Sequence, residues 1–427
     1  MLSFLKEKNK LIYNHFELAV LLFGMLYFVN ACIPLYGHHL LKTAAMYIFV
    51  SLVSALIVQK KILIDTHTVD VSMFFLIWLT YGILSLFWAR NPDKVLAYSI
   101  RNLHYVFIMF FFIQLYSHKY FAKYIRFFFF FMTILLIIIS LWEMINWIHL
   151  PTSRFIKKNV ITFIPTGVFS NENDLASAFV CYIPMILFYL KKSSNVIKKI
   201  ALIIMLLYFF IVFIVASARL ALIASSLILF VYWCFFTNKK TKLITILVVL
   251  ILLGLFIVEF KEYFDLVVLL AKDEIVSLTA DNESIFTSSI EIRLRLFKIG
   301  FRFLTNSGLI GIGHGNFASY MNLTEMVETG GIFDPHNLFL EIGVNDGLLL
   351  LIAFIYVFFK QLVMYILEYR RNNSETALMY IIMGFCFLIA ASVSSSISVY
   401  YLFWIYLFYF LFGYREMEYE KKHNYHK

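Results

Sequence analysis

Phe127-Phe128-Phe129-Phe130-Phe131-Met132-Thr133-Ile134-Leu135-Leu136-Ile137-Ile138-Ile139-Ser140-Leu141 decides the architecture. The stretch holds no charge, no glycine and no proline, and it sits inside a longer apolar run at 124–147. A helix rising 1.5 Å per residue needs about 20 such residues to cross a hydrocarbon layer ~30 Å thick. Comparable runs fall at 17–36, 40–58, 70–88, 98–116, 173–190, 200–216, 219–236, 243–260, 347–367, 376–394 and 397–413. Gly37-His38-His39, Asn91-Pro92-Asp93 and Asn238-Lys239-Lys240 interrupt them where lipid would penalise polar backbone and the chain must turn.

Composition agrees. Of 427 residues, 62% are hydrophobic, 15% are charged and 81 are aromatic. A water-soluble globule would lack the polar residues to cover itself. Disordered, collagen-like, coiled-coil and disulfide-rich classes are excluded too. The expected fold is all-α: one polytopic membrane domain over 1–427 with about twelve transmembrane helices. Lys6, Lys8 and Lys10 before the first run imitate a signal peptide, but no small-residue cleavage site follows, so that run reads as an uncleaved span.

The net charge of +10 would suggest nucleic acid in a soluble protein. Here it marks sidedness. With the N-terminus inside, 22 of 36 Lys and Arg fall in cytoplasmic segments, and 8 fall in short outer loops. The positive-inside rule then puts both termini in the cytoplasm. No nucleic-acid partner is expected. Cys32, Cys181, Cys234 and Cys386 all lie in apolar stretches without metal-ligand spacing and read as small core residues. No internal repeat relates the two halves, as many transporters would show.

Residues 261–346 contain no run long enough to span. They form a large extracytoplasmic helical loop, with seven acidic residues, then a basic amphipathic piece, then a glycine-rich turn. A loop of this length in a compact protein is usually functional or disordered.

Four places combine polarity with position. Gly167-Val168-Phe169-Ser170-Asn171-Glu172-Asn173-Asp174-Leu175-Ala176 opens the sixth run, and Ser, Asn and Asp there suit a helix start. Ser217-Ala218-Arg219-Leu220-Ala221 puts an arginine between two apolar runs, either as a snorkelling anchor or as a functional charge. Arg293 and Phe297 share a helix face, and Arg295 points elsewhere, so the two arginines need not act together. The glycines of 308–317 imitate a nucleotide fingerprint, but no strand precedes them, so they read as a tight turn or a close helix approach. In Asp334-Pro335-His336-Asn337, Asp334 reads as the N-cap and Pro335 as the first helical residue. His336 would then lie in the first turn, where the positive helix end favours a neutral imidazole able to accept a proton. The alternative is a surface histidine.

Together these motifs resemble the O-antigen ligase and polymerase superfamily of membrane glycan transferases. The G-x-F-x-N-x-N-x-x-A stretch is matched at 167–176 and S-x-R-x-A at 217–221. R-x-x-x-aromatic and G-x-G are matched by Arg293, Phe297, Gly311 and Gly313, and H-N by His336-Asn337. Asn345-Asp346-Gly347-Leu348-Leu349 matches the closing segment loosely. The departures are Phe297 where tryptophan is commoner and Asp346 near where glutamate is commoner. The motifs occur in the family's order and cover roughly 165–360.

The resemblance implies transfer of a glycan from a polyprenyl (undecaprenyl) diphosphate carrier to a glycan or lipid acceptor, on the outer face of a bacterial cytoplasmic membrane. It implies Arg219 and Arg293 as clamps for the diphosphate, since guanidinium groups bind such anions bidentately. His336 becomes the base for the acceptor hydroxyl. Asn171, Asn173, Asn337 and Arg295 become substrate contacts. No acidic cluster has metal-ligand geometry, so no metal and no cofactor are expected. A polymerase of lipid-linked repeat units, building a capsule, O-antigen or teichuronic-type polymer, is the leading expectation. A ligase to lipid A, another lipid or protein is the alternative, and a lipid-linked oligosaccharide flippase the second. Membrane lipids, a separate flippase and a chain-length regulator are the expected partners.

Overall fold

The computed structural model describes residue 24 and residues 66–115, 121–236, 289–329, 331–394 and 399–424. The expected spans at 17–36, 40–58 and 243–260 lie outside these residues, apart from Gly24. So do the turns at 37–39 and 238–240, Cys32, and 261–288 of the long loop.

The described residues form helices and no strand. The first seven are α1 (Thr66–Leu84), α2 (Pro92–Leu115), α3 (Phe121–Asn146), α4 (Arg154–Lys157), α5 (Glu172–Lys192), α6 (Val196–Val215) and α7 (Arg219–Phe236). Then come α8 (Ser289–Asn306), α9 (Phe317–Tyr320), α10 (Leu323–Glu328) and α11 (Leu338–Asp346). The last four are α12 (Leu348–Asn372), α13 (Glu375–Val393), α14 (Tyr401–Leu411) and α15 (Tyr414–Asn424). Among the described residues, seven segments are long and apolar enough to cross a membrane, from Thr68–Phe87 to Glu375–Ser392. Arg219–Cys234 and Tyr401–Leu411 are shorter apolar helices.

α14 departs from the expectation for 397–413. Its 11 residues extend about 16 Å. Leu402 through Leu411 are all buried by protein, so the run is apolar because its neighbours are side chains. α5 is the other central element. It packs most heavily on α13, and all but its last turn is buried or nearly so.

Local chemistry fixes where the helices begin and end. Asn171 caps α5 by accepting the Asp174 N–H at 3.0 Å. Glu172 and Asp174 fill its first turn, and Lys191 and Lys192 its last, which suits the helix dipole at both ends. Asn195 and Ser374 cap α6 and α13 in the same way.

The alternation of helices gathers the turn 85–91 and residues 147–171, 216–218, 289–347 and 394–400 (where described) at one end. Hydrogen bonds tie these segments together: Trp88 Nε1 donates to the Gly311 carbonyl at 3.0 Å, and Arg293 donates to the Ser392 carbonyl at 2.8 Å. The opposite end is closed by a different network. Arg126 donates to Glu416, whose other oxygen accepts from Tyr380 at 2.6 Å, and Lys191 pairs with Glu375 at 3.6 Å. Cys181 and Cys386 are buried free thiols, as small core residues should be.

Candidate functional site

Residues 147–171 are shaped by one buried carboxylate. Glu143, at the end of α3, accepts the backbone N–H groups of Thr166 at 2.8 Å and Gly167 at 2.6 Å. His149 Nδ1 lies 3.3 Å from the same carboxylate, and its Nε2 lies 2.9 Å from the Thr162 carbonyl. This clasp presents Arg154, whose backbone N–H donates to the Ser170 carbonyl at 2.7 Å. The Arg154 guanidinium donates to Glu172 at 2.5 Å. Asp174, fully buried, accepts from the Ser394 hydroxyl at 2.6 Å, and the Ser170 and Tyr400 hydroxyls are 2.8 Å apart. The first motif is thus bound to the segment between α13 and α14.

The glycine run is a close approach, as its sequence suggested. Ile312 and Gly313 N–H groups donate to the Val344 and Asn345 carbonyls at 2.9 and 3.0 Å. Gly311 has φ +87°, and a Cβ there would lie 2.6 Å from the Gly347 nitrogen. No other residue fits that contact. Asp346 is explained here as well. Its carboxylate lies 2.5 Å from His314 Nδ1 and accepts from Trp78 Nε1 at 2.9 Å, so it anchors the run against α1 and the α11–α12 junction.

α11 begins later than its sequence suggested. Asn337 is the N-cap, accepting the Leu340 N–H at 3.0 Å, and the first helical residue is Leu338. Asp334 and Pro335 therefore precede the helix instead of capping and opening it. His336 lies before the cap with φ +53°, in the left-handed region that non-glycine residues seldom occupy. Asn337 outcompetes Asp334 because its oxygen faces the first turn once His336 reverses the chain. Strained backbone of this kind clusters at functional sites.

Half-buried, His336 keeps its Nδ1 sealed from solvent with no hydrogen-bond partner among the described residues. Burial, then the Arg293 and Arg154 guanidinium groups, push its pKa down from the ordinary 6.5 to about 4. The sequence attributes a neutral imidazole to the helix dipole; here burial and two arginines favour the neutral form instead.

Each expected residue has a definite place. Arg293, on α8, donates to the Ser392 carbonyl near the end of α13 and acts electrostatically on His336. Arg219 is the first residue of α7 and is exposed, behind a reversal made by Ser217 at φ +51°. Arg295 pairs with Glu291 one turn back at 2.5 Å, on the surface of its own helix. Asn171 and Asn337 both spend their side-chain oxygen as caps, and Asn173 is half-buried next to the first. Arg154 was missed. Its signal was the basic cluster Arg154, Lys157, Lys158 on the side where the positive-inside rule expects few charges.

Between α7 and α13 runs an apolar groove of about 550 Å³. Leu220, Ala224 and Leu227 line one wall, and Leu388, Ile389 and Ser392 the other. Its polar end therefore adjoins Arg219 in sequence, and Ser392 there is held by Arg293.

These features define a helical membrane protein with arginines and a half-buried histidine at one end of the bundle, and an apolar groove that runs from that end along α7 and α13. Residues 200–355 match the O-antigen ligase family, which bears out the resemblance read from the motifs. Members of that family transfer glycans, and lipid-linked glycans are their general substrate class. No curated protein matches the chain.

Proposed function

We propose that the protein is a polymerase joining polyprenyl-diphosphate-linked repeat units into a surface polysaccharide, working without a metal on the outer face of the cytoplasmic membrane. The observation that carries this reading is His336, held neutral beside Arg293 and Arg154. The isoprenoid tail of the donor would lie in the α7–α13 groove, whose apolar walls match a hydrocarbon chain. Its diphosphate would then meet Arg219 and Arg293. In the transfer, an acceptor hydroxyl oxygen bonds to the anomeric carbon. The bond from that carbon to the diphosphate oxygen breaks, and its electron pair leaves on the diphosphate. The hydroxyl proton passes to the imidazole of His336, and the arginines neutralise the leaving group.

A pKa of about 4 leaves the free enzyme's imidazole predominantly unprotonated at neutral pH. The acid limb of kcat/KM should accordingly fall well below pH 6. The bound diphosphate offsets the arginine charge, which raises the imidazole pKa in the complex. The acid limb of kcat should therefore lie at higher pH than that of kcat/KM. Arg154→Gln should shift the kcat/KM limb upward, because one repelling cation is gone. Coincident limbs in the wild type, or a downward shift in the variant, would contradict the assignment.

Deletion of the gene followed by analysis of lipid-linked glycans tests the function directly. Single repeat units on the carrier are the expected result. Long polymer retained on the carrier would indicate a ligase instead. Precursor confined to the inner leaflet would indicate a flippase.

A further inference from the structure

Arg101 stands nine residues into α2, about 13 Å along the helix, beyond the charged first turn of Asp93 and Lys94 and just before the apolar run that begins at Tyr105. A charge at that depth is costly and by default functional. It is set among aromatic side chains. Its guanidinium carbon lies 4.6 Å from the centre of the Tyr98 ring, and Tyr105 and Tyr401 are within electrostatic reach. Tyr401 is itself fixed: its hydroxyl lies 2.6 Å from His104 Nδ1, and the two rings stack 5.6 Å apart. On its other side Tyr98 meets His314 edge-on at 5.6 Å, so the glycine run braces it. Tyr98, Arg101, His104 and Tyr401 are all half-buried, neither sealed in the core nor spread on the surface.

Two carboxylates, Asp334 and Glu341, act electrostatically on Tyr98. They flank His336 in sequence, two residues before it and five after. Through Tyr98 and His314, which is bonded to Asp346 at the end of α11, the cluster lies at the same end of the bundle as the proposed base. It is not part of the donor groove, since α2 packs on α1 and α14 while α7 and α13 build the groove.

We propose that Tyr98, Arg101, His104 and Tyr401, with Asp334 and Glu341, form a saccharide subsite that holds the acceptor's terminal sugar against His336. This rests on the glycan-transfer reading above. A pyranose has an apolar C–H face that packs on aromatic rings and a rim of hydroxyls that planar guanidinium and carboxylate groups bind well. The four α2 and α14 residues also lie outside the 200–355 stretch shared with the family, while His336 lies inside it. The base comes from the common segment and the sugar platform from this chain's own helices. That division suits an enzyme whose donor chemistry is general and whose acceptor is particular.

The test uses the full-length protein in detergent, without donor, and oligosaccharides released by mild acid from the producing cell's own lipid-linked glycans. Equilibrium dialysis should show saturable binding. Arg101→Gln should weaken it at least tenfold, and Arg219→Gln should leave it within twofold. Tyr401→Phe and Tyr98→Phe remove only a hydroxyl and report on the same site if Arg101→Gln does not fold. In transfer assays on the same samples, Arg101→Gln should raise the acceptor KM and leave the donor KM unchanged. Unchanged binding in the Arg101 and tyrosine variants, with the wild type still transferring glycan, overturns the subsite alone. Loss of binding in Arg219→Gln but not Arg101→Gln places the sugar on the donor side and also overturns it. A wild type that neither binds nor transfers overturns the functional reading together with the subsite.

Discussion

His336→Ala should reduce glycan transfer by roughly 10²- to 10⁴-fold, the range for loss of a positioned base. Membrane insertion and the folding of the bundle should survive. His336 lies outside the helices, and among the described residues its Nδ1 has no hydrogen-bond partner to lose. The backbone complicates a simple alanine reading. At φ +53°, alanine carries a strain that histidine also bears, and relaxation of the turn could displace Asn337 and the start of α11. His336→Asn separates the two effects. Asparagine tolerates the left-handed region, so it keeps the turn, yet its amide is not a base at neutral pH. Both variants should be equally inactive. An active asparagine variant beside a dead alanine variant would assign His336 to shaping the turn. Normal polymer from both would remove it from the chemistry altogether.

The sequence reading and the structure diverge where tertiary contacts replace local rules. Long apolar runs were legible because lipid and core impose the same demand at every residue of a span. α14 escaped for that same reason: the hydropathy of Leu402 through Leu411 does not distinguish a lipid neighbour from Trp78, Tyr105 or Phe358. The start of α11 was misplaced because Asp334 and Asn337 are both good caps. The choice between them depends on a left-handed His336 that no propensity predicts. Arg293, Arg219 and His336 stood out as charges in a chain with few of them. Arg154 and Arg101 were equally visible as letters and were counted as loop charge and orientation marker. Their meaning comes from partners distant in sequence, Arg154 from the His336 turn and Arg101 from Tyr401.

Arg219→Lys should lower donor kcat/KM by roughly tenfold to a hundredfold, although charge is conserved. A charge-assisted hydrogen bond contributes ~1.5–3 kcal/mol, and ~1.4 kcal/mol corresponds to tenfold in rate. The geometry explains why charge alone does not suffice. Arg219 is the first residue of α7, an 18-residue helix whose dipole already favours an anion at this end. What arginine adds is a planar fork that can bridge two phosphate oxygens while they take up the leaving charge, whereas an ammonium binds them as a point. The Ser217 turn at φ +51° and the Leu222 N–H bonded to the Ala218 carbonyl at 2.9 Å fix the helix start, so a lysine, with its shorter side chain and single ammonium, cannot recover the lost bond by shifting the backbone. The loss should therefore appear with the donor and in kcat, leave the acceptor KM alone, and leave the acid limb set by His336 where it is. Arg293→Lys should differ in that last respect. Arg293 is one of the two cations that depress the His336 pKa, so moving its charge should also move the limb. Wild-type kinetics for Arg219→Lys in a purified transfer assay would remove the diphosphate clamp from the mechanism and leave Arg219 as an anchor of the α6–α7 hairpin.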